Sequence, residues 1–172
     1  AEITVIEEEW GKPVDPDRVA AALKQNAYKL VALVHAETST GVLQPVADIA
    51  RLAKENGALM MLDTVSSLGG IEVKVDEWGI DGCFSCSQKC IGCSAGLAPI
   101  TFSERALDTV KKRKNPVRSW YLDISLIEKY WSNERVYHHT SSSTLNYALL
   151  EALLLIHEEG LQNRFTRHLK NH

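Results

Sequence analysis

Long hydrophobic runs, a surplus of charge and scattered cysteines are all missing from this sequence. No apolar run exceeds about six residues, too few for a helix to span a bilayer. Lys and Arg number 19 against 22 Asp and Glu, a net charge of −3, so no basic field exists to gather nucleic acid. The opening AEITVIEEEW is acidic and alternating, unlike the basic and then apolar start of a secretory leader. No Met begins the chain, so a processed chain or a piece of something larger is expected. Internal repeats and low-complexity stretches are absent too. What is present is ordinary globular composition, 45% hydrophobic and 24% charged over 172 residues, enough for one domain with a real core. The cytoplasm is the expected compartment. An organelle stays open, because targeting is read from true termini.

Cysteine occurs only at Cys83, Cys86, Cys90 and Cys93, spaced C-x2-C-x3-C-x2-C. Four soft ligands at that spacing could hold zinc or an iron–sulfur cluster. Disulfides would need an oxidising compartment. The plain alternative is four small buried hydrophobes around a tight turn.

Alternating strands and helices make up the rest. Ile3, Val5 and Ile6 suggest a short strand. Asp15-Pro16-Asp17 starts a helix with an N-cap acid, proline at its first position and a further acid in the first turn. Val19, Ala22 and Leu23 give that helix its apolar stripe. Residues 29–35 (KLVALVH) form a strand apolar on both faces, the pattern of a buried parallel sheet. Pro45 opens a second helix, which Gly57 stops. Residues 58–63 (ALMMLD) are a second buried strand ending in an acid. Ile71 to Val75 alternates like an edge strand. IDGCFSCSQK carries a third strand into a turn, and LAPITF, residues 97–102, is a fourth.

Ser103 caps a short helix whose basic end, Lys111 to Lys114, is a solvated C-terminus. Asn115-Pro116 breaks it, and residues 117–140 read as aromatic-rich and irregular. A last helix over Ser143–Glu159 presents Leu145, Ala148, Leu149, Ala152, Leu153 and Ile156 for burial. Single helices between strands predict an α/β fold of three layers around a mostly parallel sheet.

In such sheets ligands bind beyond the carboxyl ends of the strands. Three segments lie there: His35 to Gly41, Asp63 to Ser67 and Ser85 to Lys89. They offer a hydroxyl-rich turn, a carboxylate at a strand tip and a lysine. A lysine at such a mouth can bind phosphate as a point charge, or form a Schiff base once its amine is neutral. A buried aspartate needs a cationic or hydrogen-bonding partner, and a protonated pyridine nitrogen is one. Lysine and aspartate together are what a protein offers pyridoxal phosphate. Taken singly, Asp63 could equally be a turn former and Lys89 a surface lysine.

Five motifs stand in order: ETSTGVLQP (37–45), MLDTVSSLGG (61–70), SQKCIGCSAGLAPITFS (87–103), WYLDI (120–124) and YHHT (137–140). Together they resemble the class V, fold-type I aminotransferases, nearest the alanine–glyoxylate and serine–pyruvate group. The resemblance runs over essentially the whole chain. It implies that Lys89 bonds pyridoxal phosphate through its amine and later moves the substrate proton. It pairs Asp63 with the pyridine nitrogen, sets Thr38 near the ring oxygen and puts Gln88 on the phosphate side. Tyr137 and Thr140 match residues that reach the phosphate of a neighbouring subunit, which implies a homodimer. The implied substrates are small amino acids, alanine or serine, and 2-oxo acids, glyoxylate or pyruvate. With the lysine in that role no metal is expected at the cysteines, and alternation along a strand sets Cys83 and Cys86 on opposite faces. His138 and His139 are read as packing residues.

The family's chains are considerably longer. Residues 1–172 match the central and later part of the cofactor-binding large domain, without an upstream segment and a C-terminal small domain. Ser94-Ala95-Gly96 stands where the family usually has two prolines and a glycine. A cysteine desulfurase-like enzyme is the nearest rival, although desulfurases usually carry His where Gln88 stands. An inactive fragment or scaffold domain is the rival from outside enzymology.

Overall fold

Asp15 begins the first helix as expected: its carboxylate accepts the Asp17 N–H at 2.9 Å. The computed structural model describes residues 2–171. Its helices are α1 (Pro16–Gln25), α2 (Val46–Glu55), α3 (Glu104–Lys111), α4 (Ile124–Trp131), α5 (Ser143–Glu159) and α6 (Leu161–Lys170). The strands are β1 (Leu30–Val34), β2 (Leu59–Asp63), β3 (Gly82–Phe84) and β4 (Ile100–Phe102). They form one sheet in the order β1-β2-β3-β4, parallel except for the antiparallel β3–β4 pair. The expected α/β class with a mostly parallel sheet is what forms.

Helical periodicity selects the buried face. Val46, Ile49, Ala50 and Ala53 of α2, with Val19 and Leu23 of α1, pack on Met60, Leu62 and Cys83. Alternation then sends Leu30, Val34, Phe84 and Ile100 to the other face of the sheet. These side chains are 37–48% exposed. The expectation of burial on both faces for residues 29–35 is therefore corrected: among the described residues no helix covers that second face.

Four further expectations change. Residues 3–6 form no strand; Ile3 and Val5 are exposed, and among the described residues the sheet consists of β1 to β4 alone. Residues 71–75 contribute only an isolated bridge, Leu68 to Ile71. The stretch 117–140 contains a 3-10 turn at Trp120–Leu122 and then α4, capped by Asp123. On α5, Leu153 is 48% exposed, while Ala152 and Ile156 are buried against Ile91 with Leu68, Cys93 and Leu149. The pair α5–α6 thus packs on the loops beyond the strand tips. Among the described residues no helix is long and apolar enough to cross a membrane.

Candidate active site

Register sets the strand tips level. Val34 pairs with Asp63, and Asp63 with Phe84, so the three parallel strands end in one row. The ladder runs on past them: the His35 N–H donates to Asp63 O at 2.8 Å and the Thr64 N–H to Phe84 O at 2.9 Å. On the antiparallel side the Ser85 and Ser87 N–H groups donate to Pro99 O and Leu97 O. The loops leave the sheet side by side, as the strand-end rule requires.

Hydroxyls bind those loops together. Thr64 Oγ1 donates to Phe84 O at 2.9 Å, and Ser85 Oγ to Thr64 O at 3.0 Å. His35 Nδ1 and Ser67 Oγ lie 2.9 Å apart, both buried, with Trp78 edge-on to the imidazole. Burial lowers the His35 pKa, because desolvation disfavours the charged ring. Thr38 Oγ1 and Ser66 Oγ share a hydrogen bond of 2.5 Å across the row.

Asp63 is half-buried at the centre. Its Oδ1 accepts the Val65 N–H at 2.8 Å, which fixes the carboxylate plane. Among the described residues Oδ2 has no hydrogen-bond partner. Lys89 is exposed in a tight turn, in which the Gly92 N–H donates to Lys89 O at 2.9 Å and the Cys93 N–H to Ser87 O at 2.9 Å. Ser87 is fully buried and donates to Ser94 O at 2.6 Å, so the backbone entering the turn is anchored. The Lys89 amine has no hydrogen-bond or ion-pair partner among the described residues. Gln88 is exposed beside it. An unpaired carboxylate oxygen at the end of β2 is thus flanked in the fold by the turn after β3, which carries the unpaired amine, and by the loop after β1, which carries the Thr38 hydroxyl. This donor set suits an aldehyde-bearing heterocycle with a protonated ring nitrogen.

Tyr137 and Thr140 sit elsewhere. Their hydroxyls bond each other at 2.9 Å, Tyr137 is 72% exposed, and neither bonds the strand-tip residues. Between them His138 is buried, stacked on Trp120 at 4.1 Å, with Nε2 3.0 Å from Trp120 O and Nδ1 2.8 Å from His139 Nδ1. Both histidines pack against aromatic rings in this chain, His138 on Trp120 and His139 against Tyr121 and Tyr130.

Each of three thiols meets an oxygen of the loop after β2: Cys83 with Thr64 Oγ1 (3.4 Å), Cys86 with Val65 O (3.9 Å) and Cys90 with Ser66 O (3.3 Å). Burial pushes the Cys83 and Cys90 thiols up, away from the thiolate a metal needs. Cys86 lies beyond the end of β3, so the opposite-face argument does not reach it; Cys83 and Cys86 are both buried. No group of three or more metal-ligating side chains occurs among the described residues.

Sequence reasoning gave no role to His35, Ser66 and Ser67, although the serine pair lay inside a motif already singled out. Arg164, which reaches these loops from α6, carried no signal at all.

A family model described as aminotransferase class-V matches residues 1–168. The chain is 40% identical to a (S)-ureidoglycine–glyoxylate transaminase of Bacillus subtilis, covering 98% of this chain and 45% of that protein. It is 38% identical to an alanine–glyoxylate aminotransferase of Drosophila melanogaster, over 98% of this chain and 44% of the relative. The crystal structure of an alanine–glyoxylate aminotransferase from Nostoc sp. superposes with a TM-score of 0.93 at 48% identity, over 96% of this chain and 44% of that one. A cysteine desulfurase from Thermococcus onnurineus matches with a TM-score of 0.71 at 22% identity, a likeness of fold alone. The chain spans just under half the length of the curated relatives it matches.

Proposed function

The chain belongs to the class-V aminotransferases, and from that premise we propose that its protein moves an amino group from alanine or serine to glyoxylate or pyruvate with pyridoxal phosphate as cofactor. One observation carries the reading: among the described residues Asp63 Oδ2, at the end of β2, and the Lys89 amine, in the turn that follows the neighbouring β3, are both free of partners. Relatives named for glyoxylate transamination support that acceptor.

When bound, pyridoxal phosphate supplies an aldehyde that takes up the amine nitrogen and a ring that draws electrons from the substrate's α-carbon. The chain's residues supply the rest. Lys89 would hold the cofactor through its amine and would serve as the general base and acid that moves the substrate proton. Asp63 would hold the cofactor's ring nitrogen through its carboxylate, whose negative charge would keep that nitrogen protonated. The Val65 N–H holds Asp63 in plane, so the charge needs no reorganisation during reaction. Thr38, oriented by Ser66, and Gln88 would help hold the cofactor. Tyr137 and Thr140 would help hold the phosphate of a neighbouring subunit's cofactor, and the working unit would then be a homodimer. Residues 1–172 are then the central and later part of the cofactor-binding large domain.

Borohydride reduction of the full-length protein with pyridoxal phosphate, followed by peptide mass analysis, tests this reading. A pyridoxyl adduct on Lys89 is expected; label spread over surface lysines would overturn it.

A further inference from the structure

Arg164 is a cation with only 11% of its side chain exposed. Its three donor nitrogens are all used. Nε donates to Gly69 O at 2.9 Å, Nη2 to Cys90 O, and Nη1 to Glu159 Oε2 at 2.9 Å. One planar group on α6 therefore joins the end of the loop that follows Asp63 to the peptide just after Lys89. The rigid fork of guanidinium suits this use: it holds both carbonyls at fixed angles, which an ammonium cannot do. Other contacts press the same turn from other sides. The Cys90 thiol donates to Ser66 O at 3.3 Å, and Ile91 is buried against α5. Gly70 leaves so little room that a Cβ there would lie 2.6 Å from Cys90 Sγ. These constraints fall on the backbone of the turn and on the neighbours of Lys89, and among the described residues none falls on its amine. Such an arrangement fixes where the side chain starts and leaves its end free to react.

We propose that Arg164 is a positioning residue for Lys89, setting the turn that carries the amine relative to the loop that carries Asp63. The inference rests on Lys89 being the cofactor lysine. It adds a contact between residues 74 positions apart that does not touch the cofactor.

The test uses the full-length protein without cofactor, as wild type, R164K, R164A and R167A. Arg167 also pairs with Glu159 but makes no hydrogen bond to the Lys89 turn, so R167A controls for loss of an ion pair. Two quantities are read: deuterium exchange of amides 88–93, and the rate of borohydride-trapped adduct at Lys89 on adding pyridoxal phosphate. R164K is expected to keep its circular dichroism, to exchange faster over 88–93 and to form the adduct about tenfold more slowly, as small misplacements of a reacting group do. R167A is expected to match wild type in both. R164A should show the larger effect; if it does not fold, R164K decides. Wild-type exchange and adduct rates in R164K would overturn the inference while leaving the proposed function standing, whatever the melting temperature does. A wild-type protein with no adduct at Lys89 would overturn the proposed function and this inference with it.

Discussion

At the scale of single residues, the chemistry rests on charge held where it is needed. Asp63→Asn keeps the shape and the Val65 contact but loses the anion. It is expected to lower kcat by about 10²–10³-fold, the usual cost of removing one preorganised electrostatic group; steady-state kinetics on the full-length protein reads it. Lys89→Ala should abolish both turnover and the borohydride adduct. Gly70→Ala is a steric test. Its added methyl would meet Cys90 Sγ at 2.6 Å, so the single variant should be destabilised. Cys90→Ala in the same chain should restore much of the loss. Equal melting temperatures for the single and double variants would show that the neighbour had moved aside. That Asp63 ends β2 and Lys89 follows β3 was legible in the sequence, because hydrophobic pattern marks where those strands stop. The hydroxyls that hold the pair were not, because serine and threonine are common in every loop.

At the scale of elements, ion pairs join what the backbone leaves separate. Asp81 is buried; its carboxylate accepts the Met60 N–H at 2.8 Å, the Ser103 hydroxyl at 2.7 Å and the Arg105 guanidinium, tying β2 to α3. Asp81→Ala leaves these donors without their acceptor and should cost about 2–4 kcal/mol, read by urea unfolding. The α5–α6 joint has a pH signature. Arg167 and Arg164 hold the Glu159 carboxyl down to about 2. A depressed carboxylate pKa contributes stability in full above its unfolded value near 4.5, and that contribution is lost as pH falls through about 2. The unfolding midpoints of wild type and E159Q should therefore differ at neutral pH and converge towards pH 2. A difference that persisted at pH 2 would contradict the pairing. Capping and stripe patterns made α1, α2, α3 and α5 readable. The helix α4 was obscured by its aromatics, and α6 by the weakness of an apolar signal in LQNRFTRHLK.

At the scale of the whole molecule, one face of the sheet is open. Leu30, Val34, Phe84 and Ile100 line it, and β1 is a sheet edge among the described residues. Exposed apolar faces and free strand edges drive association. The 172-residue chain, prepared alone, is expected to self-associate at micromolar concentration. Val34→Lys should shift it towards monomer by light scattering; an unchanged mass would place the contact elsewhere.

Local pattern alone was enough to establish the α/β class, the main strands and helices, and the placing of an acid and an amine at neighbouring strand ends. Periodicity and caps act over a few residues, and strand-end chemistry follows from them. Tertiary structure decided the rest: which sheet face the helices cover, that three of the four thiols meet oxygens of the loop after β2, and that Arg164 grips peptides 95 and 74 residues away. Those contacts join segments with no shared local pattern. Only the closed chain brings a guanidinium and two carbonyls within hydrogen-bond reach.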